Sequence, residues 1–177
     1  MGNIIRKLVL GISILMLLVG LFGLTLPNHA TLERSIDVDR PAQEIWPFVN
    51  NLQNFNQWSP WSRLDPNMVY LFSGPSDGVG ARVEWVSEVN GVGEGSQEIV
   101  ISVVDEYVKT ALRFGKGVPA NAEFILEKNN STTKIRWAFR TEFDGILGRY
   151  FGLMIDKSVG GAYEEGLQNL KVLLENP

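Results

Sequence analysis

Cysteine is absent from this sequence, and histidine occurs once, as His29. The first absence excludes disulfides, zinc–thiolate sites and cysteine nucleophiles. The second excludes a histidine-based triad and any two-histidine metal site. His29 sits at the end of an apolar run, where an interface residue is the ordinary reading. No metal or other cofactor is therefore expected. Clustered basic charge is also missing. Beyond residue 30 the chain carries fourteen basic and twenty acidic side chains, a net charge of −6. Nucleic-acid backbones need grouped Lys and Arg, so a nucleic-acid partner is not expected. The glycines fall in short turns between strands, not in the strand–GxGxxG–helix setting of a dinucleotide site.

Charge is missing altogether from Leu8 to Leu26. Nineteen residues at about 1.5 Å each span about 28 Å, close to the hydrocarbon thickness of a bilayer. Pro27 ends the run. Arg6 and Lys7 precede it, so the positive-inside rule predicts a cytoplasmic N-terminus and a domain on the outer side. A cleaved signal peptide is the rival reading. Its apolar core is usually about 7–15 residues, and Asn28 occupies the place where cleavage before Thr31 wants a small residue. The expectation is an uncleaved anchor over residues 1–30 and one domain over residues 31–177.

What is present after the anchor is period-two patterning. Thr31 to Val38 alternates, with Leu32, Ile36 and Val38 on one face and Glu33, Ser35 and Asp37 on the other. Asp39-Arg40-Pro41 reads as a helix start, and Pro47 limits that helix to two or three turns. A second short helix is expected over Asn51–Trp58, with Pro60 and Pro66 forcing a loop after it. Six strands then follow: Met68–Phe72, Ala81–Ser87, Ser96–Val104, Tyr107–Phe114, Ala122–Glu127 and Thr132–Glu142. Gly- and Asn-rich turns separate them closely enough for antiparallel hairpins. A helical region from Leu147 to Glu175 closes the chain, with Gly160-Gly161 as its expected bend. Strand, two short helices, six strands and a long helix make an α+β domain with its helices gathered on one side of an antiparallel sheet.

This order resembles the helix-grip fold of the START-like (SRPBCC) superfamily, and within it the polyketide cyclase/dehydrase and lipid-transport branch. Three segments carry the likeness: Arg34–Trp61 (RSIDVDRPAQEIWPFVNNLQNFNQWSPW), Thr132–Phe143 (TTKIRWAFRTEF) and Gly166–Glu175 (GLQNLKVLLE). It covers roughly residues 31 to 176. The resemblance implies a curved antiparallel sheet of about seven strands wrapped on the long C-terminal helix, with two short helices after the first strand. It also implies an apolar cavity between sheet and helix, but no particular reaction.

The strand faces bear on chemistry. Ile135, Trp137, Phe139 and Thr141 oppose Arg136, Arg140 and Glu142. Val108, Thr110, Leu112 and Phe114 oppose Lys109 and Arg113. Ile99, Ile101 and Val103 are expected to share a face against Glu98 and Ser102. The titratable groups thus fall opposite the apolar stripe, and Thr110, Thr141 and Tyr150 are the inward polar candidates. An enzyme cavity keeps a few convergent polar groups, so this face weighs against catalysis.

Each apolar residue taken singly reads as core. With the resemblance, Trp85, Leu112, Phe114, Phe124, Trp137 and Phe139 become candidate ligand-lining residues. Tyr150 and Met154 are candidates nearer the mouth, together with Trp58, Trp61 and Phe151. The run Tyr150–Ile155 either caps the cavity, approaches the bilayer or is buried. The expected function is a membrane-anchored domain holding a hydrophobic small molecule or lipid. An apolar-substrate cyclase/dehydrase and a filled-core module are the alternatives. An internal cavity of a few hundred Å³ separates the first two from the third, and a polar cluster within it favours the enzyme.

Overall fold

A computed structural model describes residues 2–115, 117 and 119–176. Helix α1 (Gly2–Thr25) contains all but the last residue of the apolar run and is long and apolar enough to cross a membrane. Strand β1 (His29–Val38) starts almost at once. His29 is its first residue and pairs with Glu142, so the strand reaches two residues closer to α1 than its alternation indicated. Helix α2 (Ala42–Val49) follows Pro41 and buries Ala42, Ile45 and Val49. Helix α3 is one turn, Leu52–Phe55, shorter than the expected Asn51–Trp58. Asn51 caps it by accepting from the backbone N–H groups of Gln53 and Asn54. Where a loop was expected, Pro60 instead opens helix α4 (Pro60–Leu64), because its fixed φ suits a first helical position.

Six further strands follow: β2 (Val69–Ser73), β3 (Arg82–Val86), β4 (Glu94–Val103), β5 (Tyr107–Phe114), β6 (Ala120–Asn129) and β7 (Thr132–Glu142). They form one antiparallel sheet of seven strands in the order β1-β7-β6-β5-β4-β3-β2. The first and last strands of the chain are neighbours, and β1 and β2 are the two edges of the sheet. Helix α5 (Gly145–Gly152) precedes helix α6 (Ile155–Glu175), which lies in the grip of the sheet. The expected single helix from Leu147 is therefore two, parted at Leu153-Met154. Gly160-Gly161 does not interrupt α6. Gly160 makes room for Arg34 of β1, whose guanidinium donates to Asp156 and Glu164 on either side.

The core is one layer between the concave face of the sheet and α2, α3 and α6, and includes Val38, Ile45, Ile99, Val108, Ile135, Leu167 and Leu170. The convex face is charged and paired. Arg136 bridges Glu33 and Glu127, Arg82 bridges Glu84 and Glu98, and Lys109 meets Glu123. The Arg136 hydrogen bond, outweighing the cost of desolvation, holds the Glu33 carboxyl below its usual range. Pairs this exposed contribute little each, about 0–1 kcal/mol, and mainly fix which face is outside.

Alternation fails once, in β4. A bulge between Ile99 and Ile101 shifts the register against β5. Ile99 is buried, but Ile101 and Val103 turn outward and are exposed. Ser102 takes the inward place and donates to Asn50 Oδ1 at 2.8 Å, at the end of α2. One extra residue reverses the facing of all that follow it, so the expected face of Ile99, Ile101 and Val103 is corrected to Ile99 alone.

Candidate functional site

The concave face divides into a packed half and an open half. The packed half is aromatic. Trp137 stacks on Tyr163 with centroids 3.8 Å apart and on Phe124 at 5.1 Å. Trp58 meets Trp137 edge-on at 5.3 Å, and Phe55 meets Trp58 at 4.7 Å. The Trp58 indole N–H donates to the Phe48 carbonyl at 3.0 Å, which satisfies its one polar atom. Gly166 on α6 makes the stack possible. A Cβ there would stand 2.8 Å from Trp137 Cζ3 and 3.1 Å from Pro60 Cδ.

The open half is a cavity of about 110 Å³ between α3, α4 and α6 on one side and strands β2 to β7 on the other. Trp85, Leu112, Phe114, Trp137 and Phe139 all line it. Phe124 does not: it stands beside its cross-strand partner Trp137, inside the packed half. Tyr150 and Met154 do not line it either. Tyr150 packs against α1 and donates to the Val19 carbonyl at 2.5 Å, while Met154 is exposed between α5 and α6. Of the other mouth candidates, Trp61 lines the cavity and Trp58 is fully buried.

The mouth is formed by the α3–α4 segment, β2 and the β3–β4 hairpin, through Asn56, Ser59, Met68, Tyr70, Gly91 and Val92. Asp65 fastens two of these. It accepts from Ser87 Oγ at 2.5 Å and from the Asn67 backbone N–H at 2.9 Å, tying the loop after α4 to the hairpin.

The cavity has a small neutral polar set. Gln97 is 6% exposed and lines the wall. Its amide donates to Thr110 Oγ1 at 3.2 Å, and Thr110 donates onward to the Ala122 carbonyl at 3.3 Å. Gln97 was not among the inward polar candidates. Its signal was in the chain: two residues before Ile99, it shares that buried face by period two. Tyr163 adds a phenol, pushed well above its ordinary pKa by burial, so it stays neutral. No Asp, Glu, Lys, Arg or His lines this cavity among the described residues. No group of three or more His, Asp or Glu that could hold a metal occurs among them either. The cavity can hold an apolar group and offer it neutral hydrogen-bond partners. Its walls supply no carboxylate or imidazole for proton transfer.

A family model described as polyketide cyclase / dehydrase and lipid transport matches residues 29–175. No curated protein matches the sequence. Among solved structures, norcoclaurine synthase from Thalictrum flavum superposes with a TM-score of 0.62 at 12% identity, covering 84% of this chain and 88% of that one. An uncharacterized protein from Rhizobium leguminosarum gives 0.60 at 17% identity, over 84% and 96% of the two chains. The di-domain ARO/CYC BexL of the BE-7585A biosynthetic pathway gives 0.61 at 10% identity, over 85% of this chain and 51% of that one. At identities this low the superpositions show the shared helix-grip fold alone.

Proposed function

The chain belongs to the polyketide cyclase / dehydrase and lipid transport family, and from that premise we propose that it is a membrane-tethered binder of a hydrophobic or amphipathic small molecule. The observation that carries the reading is the open half of the concave face: an aromatic-walled cavity with neutral polar groups and a defined mouth. Its 110 Å³ falls short of the few hundred Å³ that separate a ligand site from a filled core, so the volume alone does not favour a binder, and a whole ligand is not enclosed. An apolar cavity of about 150 Å³ accepts a benzene ring. At 110 Å³ the cavity is smaller than that, so the ligand inserts a short acyl segment or the edge of a ring and leaves the rest at the mouth, unless the Asp65–Ser87 tie opens. Gln97 and Tyr163 meet a carbonyl or hydroxyl on the inserted part. A cyclase acting by positioning would use the same pocket, but the lack of any charged side chain in its wall favours binding. Arg6 and Lys7 before the apolar run support an anchor with the domain on the outer side.

The test is ligand capture by the full chain in micelles. Mass spectrometry of extracts from the purified protein should find one amphiphile near stoichiometry. Titration with 1-naphthol should change tryptophan emission saturably, while succinate should not. Leu112→Trp, which fills the cavity, should abolish that response. Absence of a co-purifying molecule, together with no saturable response to naphthol or decanoate, would leave the filled-core module as the better account. The anchor is tested separately. Protease added to intact cells should digest the domain, and protection would reverse the orientation.

A further inference from the structure

Helix α5 buries no residue, so the core does not hold it. It has three faces. Gly148 and Gly152 rest on Phe143, just after β7. Ile146, Arg149 and Tyr150 lie on the last turns of α1. Ile146 and Tyr150 close over Gly23, where any Cβ would collide with them. Arg149 donates to the Leu24 and Leu26 carbonyls at 2.8 and 3.1 Å, capping the C-terminal end of α1. Leu147 and Phe151, one turn apart, form the third face and are 78% and 66% exposed. Leu153 and Met154 continue that apolar surface and are exposed as well.

The depth of the contact decides what covers this face. Val19, which accepts from the Tyr150 hydroxyl, lies seven residues before Leu26, about 10 Å back along the helix. If Leu8–Leu26 spans a bilayer, whatever touches Val19 is below the surface of that bilayer. We propose that α5 with Leu153-Met154 is seated in the outer interface of the membrane, with Leu147 and Phe151 among the acyl chains. This rests on the anchor reading above. The bilayer, rather than a second copy of the chain, is the occupant because the apolar surface of α5 runs on into that of α1. Interfacial helices sit about 5–10 Å into the headgroup–acyl boundary, which matches this depth. Charged residues set the limits, with Asp144 before α5 and Asp156-Lys157 after it.

The consequence reaches the cavity. By register, the start of β1 and the end of β7 share a sheet end with the last residues of β5 and the β3–β4 hairpin. Phe114, Val86 and Val89 are exposed there. The strand ends that open the cavity are those nearest the bilayer, so the membrane itself is the source of the ligand.

The test exploits the absence of cysteine. Single-cysteine variants Leu147→Cys, Phe151→Cys, Leu17→Cys and Ser131→Cys are labelled with an environment-sensitive fluorophore. The full chain is placed in phosphatidylcholine–phosphatidylglycerol vesicles carrying brominated lipids of two depths. Labels at 147 and 151 should be quenched at least twofold more than the label at 131, in the distant β6–β7 turn, and more by the shallow quencher than by the deep one. The label at 17 should respond to the deep quencher. Quenching at 147 and 151 no greater than at 131, with 17 still quenched, overturns the inference and leaves the anchor standing. No quenching at 17 overturns the anchor reading and this inference with it.

Discussion

The two halves of the concave face use the same residue types to opposite ends. In the packed half Trp137, Tyr163, Phe124, Trp58 and Phe55 contact one another and leave no room between them, with Trp137, Tyr163 and Phe55 also forming the cavity's inner wall. In the open half Trp85 and Phe114 meet edge-on at 6.0 Å, Phe114 is 45% exposed, and the space beside them is empty. The difference lies in what stands opposite the sheet. The packed half faces α6 at the point where Gly166 lets the helix close in, with the α3–α4 segment filling the side. The open half meets the helices only through Phe55, Trp61 and Tyr163 at its inner end, and is otherwise covered by a loop and a hairpin held by one side-chain tie. An aromatic stripe on a strand therefore does not announce a ligand site. The distance to the opposing layer does, and that distance is set by a residue elsewhere in the chain.

The sharpest way to break this comparison is to truncate one ring in each half. Trp137→Ala should cost about 3–5 kcal/mol, the loss expected when a fully packed aromatic leaves a cavity. Phe114→Ala should cost about 1 kcal/mol, because roughly half of its area is already in water. Urea titration in micelles, followed by near-ultraviolet circular dichroism, reads both. Equal losses would mean that the halves are packed alike.

A smaller effect is expected from α6. Gly166→Ala puts a methyl group against the rigid Trp137 indole and should destabilise by about 1–3 kcal/mol. Gly161→Ala, on the exposed side with nothing within 4 Å, should stabilise by about 0.5–1 kcal/mol through helix propensity. Opposite signs would locate the close approach at Gly166. If Gly166→Ala were neutral, the stack would have slack, and the filled half could open for a larger ligand.

Much of this architecture was legible beforehand. The order of elements, the seven strands and their inner and outer faces follow from alternation and turn chemistry. The failures have specific causes. The β4 bulge adds one residue within an unbroken apolar run, Ile99–Ile101, where alternation has no phase to lose. The division of the last helical region at Leu153-Met154 has no proline to mark it, and Gly160-Gly161, which looked like the break, accommodates Arg34. Tyr150 and Met154 are candidates for the mouth because they follow the sheet in a largely apolar run. Tyr150 instead packs on α1, a contact between residues more than a hundred apart that no local pattern records. Of the candidate lining residues, Phe124 is the cross-strand partner of Trp137 and lies beside it in the packed half, since period two gives the face and not the position along the cavity.

The finest expected effect concerns Gln97, the polar residue of the open half. Its amide donates to Thr110, which donates to Ala122, so the chain of hydrogen bonds is anchored at the β6 backbone. Among the described residues no hydrogen bond engages the Gln97 side-chain carbonyl, which leaves an acceptor at the cavity wall for a ligand hydroxyl. Gln97→Leu keeps the volume and removes that acceptor. Thr110 retains its bond to Ala122, so folding stability should change by no more than about 1 kcal/mol. Binding should separate by chemistry. Naphthol should lose about tenfold in affinity, the equivalent of roughly 1.4 kcal/mol for one buried hydrogen bond. Naphthalene, which has no hydroxyl, should bind as well or slightly better. Isothermal titration of both ligands against both proteins gives the coupling directly. If the two ligands weaken equally, Gln97 acts on the shape of the cavity alone. If neither changes, the ligand lies nearer Trp85 and Phe114 than Gln97, and the polar pair belongs with the packed half of the face.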